Sequence, residues 1–193
     1  TLMDYLIIIT ISYLLGSIPF GLLLTKFFLN KDIRNVGSGN IGATNVLRSG
    51  NKLIGYTTLL FDILKAVLPV IYVKFNHADF IYLSSLSIFL GHVFPIWLKF
   101  KGGKGVATYV GILFSINIIY GLVFGIIWFL IFLYSKYSSL ASLVGSLSIP
   151  IYLFIFNDKQ IIFFVIMFVL IFYTHRENIK RLKNKEESKS KIY

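Results

Sequence analysis

The sequence has no cysteine and few charged residues, and both shortages limit what the protein can be. Without cysteine, the chain forms neither a disulfide nor a thiolate metal site. The histidines at positions 77, 92 and 175 lack the spacing of metal ligands, and no carboxylate cluster accompanies them. Charged residues make up 14% of the chain, whereas a soluble domain carries about a quarter. We therefore expect no metal, no cofactor and no soluble domain.

Apolar residues instead fill long stretches of the chain. Hydrophobic residues make up 56% of the sequence, and the mean hydropathy is +0.79. Apolar runs of about twenty residues, the length that crosses a bilayer as a helix, recur throughout. The net charge of +11 comes from basic residues in short loops and one tail, which indicates membrane topology rather than nucleic-acid binding. The sequence predicts a multi-pass membrane protein, with no cleavable signal peptide because the first apolar run is a full span.

The apolar runs predict an all-α membrane protein with seven transmembrane helices, some of them short or broken. The first is interrupted by Gly16-Ser17-Ile18-Pro19-Phe20-Gly21, where proline removes a helix hydrogen bond. The predicted spans are residues 5–29, 53–73, 80–98, two short passes within 106–134 that hinge near Asn117, 140–156 with a kink at Pro150, and 160–173, which can extend past His175.

The positions of the basic residues decide how residues 106–134 are counted. With two passes, most of the 19 lysines and arginines lie on one side of the membrane. A single pass would move Lys136 and the basic tail to the other side, against the positive-inside rule. We therefore expect the N-terminus outside and the C-terminus in the cytoplasm. Residues 1–182 are expected to form the membrane domain, and residues 183–193 a disordered basic cytoplasmic tail that rests on anionic lipid.

A polar, glycine-rich island separates the first two spans at residues 36–48. Its glycines free the backbone for turns with positive φ, and its exposed N–H groups can form a nest for an anion. Ser38, Thr44 and two asparagines add hydrogen-bond donors on short side chains. Arg48 adds a planar guanidinium whose N–H groups suit phosphate. The alternative is a flexible linker. The glycine spacing matches the dinucleotide-binding fingerprint, but no βαβ pattern surrounds it. A Walker A loop is excluded because Ala43 stands where that motif requires lysine.

A second glycine-rich loop, residues 99–105, carries three lysines. Lys101 and Lys104 flank two glycines and precede a predicted helix start. Ammonium groups, bare backbone N–H groups and the positive end of a helix can together hold phosphate. The alternative, positive-inside anchoring, needs the lysines but not the glycines.

Other ionisable and polar residues lie within spans or at their ends. Asp62 and Lys65 are three residues apart and are predicted to pair and order the bundle. His92 is either a packing residue or a functional one. His175 and Asn178 face one cleft if the last helix continues. There, a histidine can take a proton from a hydroxyl and an amide can hold an oxyanion; the alternative is an ordinary helix end.

The predicted topology places these polar elements on one face of the membrane. The island, the 99–105 loop, the serines at 138, 139 and 142, and residues 175–178 all lie at cytoplasmic ends of spans. A transport path needs polar groups through the depth of the bilayer. A reaction between a water-soluble anion and a lipid tail needs them at one interface, and the sequence favours this second pattern.

Three segments together resemble the bacterial integral-membrane acyl-phosphate:glycerol-3-phosphate acyltransferases. They are residues 37–48 (GSGNIGATNVLR), residues 91–95 (GHVFP) leading into 101–108 (KGGKGVAT), and residues 175–179 (HRENI). The resemblance covers essentially the whole chain and implies a seven-span fold in the bacterial inner membrane. It implies transfer of an acyl group from acyl phosphate to the 1-hydroxyl of glycerol-3-phosphate. The products would be lysophosphatidic acid and inorganic phosphate, in the first step of bacterial phospholipid synthesis.

The resemblance also suggests roles for the residues. Ser38, Arg48 and Lys104 would hold phosphate. Asn178, Ser139 and Ser142 would position the acyl phosphate or its oxyanion. His175 would orient or deprotonate the glycerol hydroxyl, unless a phosphate oxygen of the donor accepts that proton. The remaining candidates for substrate binding are Gly37, Gly39, Asn40, Gly42, Thr44, Asn45, His92, Lys101, Gly102, Gly103, Gly105 and Thr108.

The expected partners are glycerol-3-phosphate, acyl phosphate and membrane lipid. An enzyme that produces acyl phosphate is a candidate for functional coupling. On the residues alone, two other classes stay open. A small polytopic anion transporter would need a polar path across the membrane and would give flux without acyl chemistry. A membrane scaffold would explain the basic tail but not the glycine-rich loops.

Overall fold

The computed structural model describes residues 2–190, and this part of the chain is helical, with no β-strand. The chain divides into two compact units, the first ending at Ile116 and the second beginning at Asn117. The first unit contains α1 (Leu2–Gly16), α2 (Phe20–Leu29), α3 (Ala43–Arg48), α4 (Lys52–Asn76), α5 (Ile81–Val93) and α6 (Val106–Ile116). The second contains α7 (Ile118–Ser135), α8 (Ser138–Ile155), α9 (Ile161–Thr174) and α10 (Arg176–Lys183). The all-α class predicted from the sequence is confirmed.

The interruption expected in the first apolar run separates α1 from α2. Helix α1 ends at Gly16 and α2 begins after Pro19. Gly16 approaches α5 so closely that a Cβ at this position would collide with the carbonyl of Ile88. Small residues allow such close contact between membrane helices. The indole of Trp97 donates a 2.7 Å hydrogen bond to the Ser17 hydroxyl, so the break is tied to the segment that follows α5.

Helix α4 is the long element of the first unit and packs against α2, α3, α5 and α6. Its 25 residues correspond to a length of about 37 Å, which exceeds the bilayer core of about 30 Å. Near its C-terminus, the ammonium group of Lys74 donates to the carbonyls of Ser115 and Ile116, both at 2.9 Å. These bonds satisfy the last carbonyls of α6.

Within residues 2–190, five helical segments are long and apolar enough to cross a membrane, or six if α9 and α10 are counted as one bent span. The break expected near Asn117 is present, because its side chain accepts from the Ile119 N–H at 2.9 Å and caps α7. The 11 residues of α6 give a length of only about 16 Å. A crossing count of seven and the sidedness of the termini therefore stay predictions.

In the second unit, α8 packs against both α7 and α9. Its core includes the fully buried side chains of Ile149, Leu153, Phe164 and Met167. Helix α8 runs through Pro150 without a break. Many of the remaining large apolar side chains are exposed, among them Phe154 and Ile162. Such surfaces suit a lipid environment rather than water.

Two expectations for the C-terminal part are corrected. The last apolar helix does not run straight past His175, because α9 and α10 differ in direction by 61°. The sequence also predicts a disordered tail after Leu182, whereas α10 extends to Lys183 and the side chains of Glu187 and Ser190 are buried. Polar contacts explain this order, since Glu187 has hydrogen-bond donors around it and the Ser190 N–H donates to the Lys136 carbonyl at 2.8 Å. Residues 191–193 of the predicted tail lie outside the described part.

Candidate functional site

The glycine-rich island of the first unit is folded around the side chain of Asn45. This residue is 2% exposed, and its amide nitrogen donates to the carbonyls of Val36 (2.8 Å) and Asn40 (2.9 Å). Its amide oxygen accepts from the Ser38 N–H at 3.0 Å. The sequence predicts Asn45 as a substrate ligand, but the structure uses its amide to hold the loop in shape.

The island keeps other polar groups at its surface. Gly37 and Gly39 have φ values of 58° and 71°, a region that glycine adopts without strain. The Gly42 N–H donates to the Asn40 side chain at 2.8 Å. Ser38 and Thr44 are exposed, and the half-buried Arg48 is the last residue of α3. The arrangement presents hydroxyl groups and a guanidinium on a loop that Asn45 keeps ordered.

The 99–105 loop folds back onto the C-terminal end of α5. The N–H groups of Gly102 and Gly103 donate to the carbonyls of Val93 (3.0 Å) and His92 (3.1 Å). The sequence-based hypothesis of bare N–H groups at these two glycines is therefore wrong. Any ligand of this loop must be held by other groups; the loop also carries the half-buried Lys104.

Glycine is required in this loop because neighbouring atoms leave no room for a side chain. A Cβ on Gly103 would collide with the imidazole of His92, and one on Gly105 with the ring of Phe89. Gly105 also has a φ of 86°.

Two other predicted substrate ligands of this segment differ in exposure. Lys101 is exposed, whereas Thr108 is fully buried, and its hydroxyl has no hydrogen-bond partner within residues 2–190.

The two glycine-rich segments share one hydrophobic cluster. Leu22, Ile33, Ile41, Val46 and Ile54 are buried together beneath the island, and Leu98, just before the second loop, packs against them. Leu98 also accepts, through its carbonyl, a 3.1 Å hydrogen bond from the Lys101 N–H. Packing therefore holds the island and the start of the 99–105 loop next to each other.

Asp62 and Lys65 form the ion pair predicted from their spacing, with 2.8 Å between the ammonium nitrogen and a carboxylate oxygen. The pair is buried among helices of the first unit. The ammonium group also lies 2.9 Å from Nδ1 of the buried His92. The sequence does not predict this third member, which lies 27 residues further along the chain.

In the second unit, His175 lies at the bend between α9 and α10 and is 2% exposed. Its Nδ1 is 2.8 Å from the Ile171 carbonyl. Because a carbonyl can only accept, Nδ1 carries the proton, and a neutral ring then has its lone pair on Nε2. This tautomer, assigned from the hydrogen bond, is the one that can accept a proton through Nε2.

The amide of Asn178 and the hydroxyl of Ser139 meet at one carboxylate oxygen. Asn178 Nδ2 and Ser139 Oγ donate to Oε1 of Glu187 at 2.7 Å and 2.8 Å. Arg181 Nε donates to Oε2 of the same residue at 2.7 Å. Burial raises the pKa of the Glu187 carboxyl, but the hydrogen bonds from Arg181, Asn178 and Ser139 outweigh burial and leave the pKa below its ordinary value. Glu187 is therefore a carboxylate at neutral pH.

Ser142 lies one turn along α8 from Ser139 and is 4% exposed. Its hydroxyl donates to the Ser138 carbonyl at 2.8 Å and accepts from the Trp128 indole at 3.1 Å. Both hydrogen-bond partners of the Ser142 hydroxyl therefore belong to the second unit.

The sequence does not predict Arg181 and Glu187 as site residues. The sequence does carry a signal for Glu187, because two carboxylates, at positions 186 and 187, stand in an otherwise basic tail. No spacing rule connects either of them to Ser139, which lies 48 residues away.

Comparisons with known proteins agree on a family. The family model described as glycerol-3-phosphate acyltransferase matches residues 6–185. A glycerol-3-phosphate acyltransferase of Pelagibacter ubique (strain HTCC1062) is 74% identical over 99% of this chain and 100% of its own length. One from Rhodopseudomonas palustris (strain HaA2) is 47% identical, covering 96% of this chain and 95% of its own.

Two solved structures share the fold. Both are of PlsY (YgiH), an integral membrane glycerol 3-phosphate acyltransferase, one in a glycerol 3-phosphate form and one in a lysophosphatidic acid form. Their TM-scores are 0.92 and 0.88, with 36% and 35% identity, and each comparison covers 97% of this chain and 96% of the other. The fold is thus that of a multi-pass integral membrane protein. The chain belongs to the glycerol-3-phosphate acyltransferase family.

Proposed function

We propose that this chain transfers an acyl group from acyl phosphate to the 1-hydroxyl of glycerol-3-phosphate, releasing lysophosphatidic acid and inorganic phosphate. The observation that carries the proposal is that the glycine-rich island, which ends at Arg48, and Leu98, just before the lysine-bearing 99–105 loop, pack on one hydrophobic cluster. Both proposed substrates carry phosphate, and cationic side chains on ordered loops suit such groups.

In the first unit, the proposed phosphate ligands are Ser38, Arg48 and Lys104, with Lys101 in support. The glycines of both loops and Asn45 serve to keep those side chains in place. Thr44 and the hydroxyl of Ser38 are exposed and can donate to a phosphate oxygen. This division of roles separates residues that touch substrate from residues that shape the loops.

In the second unit, we assign the proton of the reacting hydroxyl to His175, and the positioning of the acyl phosphate to Asn178, Ser139 and Ser142. The hydroxyl oxygen attacks the acyl carbonyl carbon, the C–O bond to phosphate breaks, and phosphate leaves with the bonding electrons. Nε2 of His175 has the lone pair needed to accept the hydroxyl proton. Because phosphate is a good leaving group, orientation and charge stabilisation suffice without a covalent intermediate.

The direct test is phosphate release from palmitoyl phosphate by the purified protein in detergent. Release that depends on glycerol-3-phosphate supports the proposal, and its absence rejects it. The rival class, an anion transporter, is examined in the same preparation after reconstitution into liposomes. Flux of phosphate or glycerol-3-phosphate without any acyl product would favour the transporter.

Replacing His175 with alanine distinguishes the two routes for the hydroxyl proton. If Nε2 accepts the proton, kcat falls by about 10²- to 10⁴-fold, the usual contribution of a general base. A kcat close to that of the wild type would assign the proton to a phosphate oxygen of the donor. His77→Ala, in the turn after α4, is the matched control and is expected to retain wild-type kinetics.

We further propose that the enzyme lies in the bacterial inner membrane with these loops on the cytoplasmic face, as the distribution of basic residues favours. Because the chain has no cysteine, single cysteines report sidedness cleanly. A cysteine at Lys101 and another at Asn184 should each react with an impermeant maleimide in inverted vesicles and be protected in spheroplasts. Labelling of either from the outside would contradict this topology. An enzyme that produces acyl phosphate at the same face is the proposed functional partner.

A further inference from the structure

Three ionisable side chains lie together inside the first unit. Asp62 and Lys65 are on α4 and His92 is on α5, and their exposed fractions are 2%, 6% and 3%. Ionisable groups are costly at such depth in a membrane protein, so they are paired or functional. Pairing alone would require only Asp62 and Lys65, which leaves the histidine to be explained.

Lys65 uses its ammonium group to tie three elements together. It lies 2.8 Å from the Asp62 carboxylate and 2.9 Å from Nδ1 of His92. It also donates at 2.8 Å to the carbonyl of Ile18, in the break between α1 and α2. That carbonyl also accepts from the Phe20 N–H at 3.1 Å, so Lys65 is its second donor. Lys65 therefore fixes the broken helix and the imidazole of His92 at the same time.

These contacts set both the tautomer and the orientation of His92. An ammonium group has donors but no lone pair, so Nδ1 accepts and the neutral ring carries its proton on Nε2. The opposite edge of the ring points at the glycine-rich loop. The three atoms nearest to a Cβ built on Gly103 are Nε2, Cε1 and Cδ2 of His92. The Gly103 N–H in turn donates to the His92 carbonyl at 3.1 Å.

From this geometry we propose that Asp62, Lys65 and His92 are positioning residues for the acyltransferase reaction. Lys65 holds the imidazole, the imidazole supports the backbone at Gly103, and this support places the adjacent Lys104 where it meets a substrate phosphate. The inference rests on the proposed function, because it assigns a phosphate to Lys104. It adds a cluster of three buried side chains, on α4 and α5, that determines how tightly the 99–105 loop binds a substrate phosphate.

The first experiment measures the KM of each substrate and kcat for His92→Asn. Asparagine keeps an acceptor where Nδ1 lies and removes the edge of the ring that faces Gly103. Loss of loop support is expected to raise the KM of one phosphate-bearing substrate by about tenfold, with a smaller change in kcat. Asp62→Asn/Lys65→Met, which leaves no unpaired buried charge, should raise the KM of the same substrate. Unchanged KM values in both variants would overturn the inference.

The control is Ser12→Ala/Ser84→Ala, which removes another buried polar contact of the same unit. The two hydroxyls are 2.8 Å apart and lie between α1 and α5. This variant is expected to keep wild-type KM values whatever its thermal stability. If it shows the same rise in KM as His92→Asn, the effect is general loosening of the unit, and the positioning role is refuted.

The sharper experiment is a rescue. Gly103→Ala should raise KM strongly, because the three atoms nearest to its Cβ all belong to the His92 ring. His92→Asn should restore part of the loss by removing Nε2 and Cε1. Gly102→Ala is the matched control, since its Cβ would collide with the backbone carbonyl of His92 and with Pro95. His92→Asn should not restore that variant. Rescue of both variants, or of neither, would overturn the proposed contact.

These results separate two failures. If the wild-type protein shows no turnover that depends on glycerol-3-phosphate, the proposed function itself fails. If the wild type is active and Gly103→Ala is not restored, only the positioning role fails. Size-exclusion profiles and unfolding midpoints normalise each kinetic constant to folded protein.

Discussion

Replacement of Lys104 by methionine is expected to lower kcat/KM by about 10³-fold, the scale of losing a charge-assisted contact to a transition-state oxygen. Lys104 stands between Gly103, which rests on His92, and Gly105, which has a φ of 86°. Its backbone is therefore held in place, so binding of the ammonium group to phosphate has to order only the side chain. Methionine keeps an unbranched apolar chain of the length of the lysine stem and removes the ammonium group with its charge and donors.

The matched control for Lys104 is Lys99→Met. Lys99 is an exposed lysine of the same loop with a φ of 52°. Its substitution removes one positive charge from the same loop without altering a proposed ligand, and wild-type kinetics are expected. Steady-state phosphate release at varied concentrations of each substrate measures both variants. If the two lysines prove equally important, or equally unimportant, Lys104 has no special role in binding.

Glu187→Ala is expected to lower kcat by about 10²-fold, as misplacement of a reacting group by roughly 1 Å can do. The Glu187 carboxylate accepts from Asn178, Ser139 and Arg181 at 2.7–2.8 Å. Without it, the amide and the hydroxyl lose the acceptor that fixes their rotamers. The guanidinium of Arg181 also loses its partner, which costs stability. Glu187→Gln, which keeps an acceptor oxygen, should lose less activity than Glu187→Ala.

The adjacent Glu186 provides the control for Glu187. Its side chain is exposed, so Glu186→Ala removes the same charge from the same tail without these contacts. Glu186→Ala should retain wild-type kcat. A Glu187→Ala enzyme with normal kcat and a normal unfolding midpoint would show that the tail carboxylate is dispensable.

The stabilising effect of Glu187 should also depend on pH. Its folded-state pKa is below the unfolded value, so its contribution to stability is present above an unfolded pKa of about 4.3. That contribution is lost as pH falls through the folded-state pKa. The difference in unfolding midpoint between wild type and Glu187→Ala should therefore shrink as pH is lowered from neutral. A difference that stays constant would mean that the carboxylate's charge contributes nothing.

The features that the sequence predicted well depend on neighbouring residues. Pro19 ends one helix and starts another because it lacks an N–H group. Asn117 separates α6 from α7 because its side chain caps the following turn. Asp62 and Lys65 pair because three residues of helix place them on one face.

The features that the sequence did not predict depend on contacts between distant residues. No local pattern places His92 against Lys65 or Glu187 against Ser139, since the partners are 27 and 48 residues apart. The sequence predicts bare N–H groups in the loop that contains Gly102 and Gly103, ready to hold a phosphate. In the fold, the C-terminal carbonyls of α5 accept from them. The sequence also does not predict the 61° bend between α9 and α10 at His175.

The most direct test of the account follows radiolabelled glycerol-3-phosphate into lysophosphatidic acid with palmitoyl phosphate or palmitoyl-CoA as the donor. We predict labelled product with palmitoyl phosphate alone, one phosphate released per molecule formed, and almost none with Lys104→Met. Labelled product from palmitoyl-CoA at a comparable rate, or phosphate release without labelled product, would contradict acyl transfer from acyl phosphate.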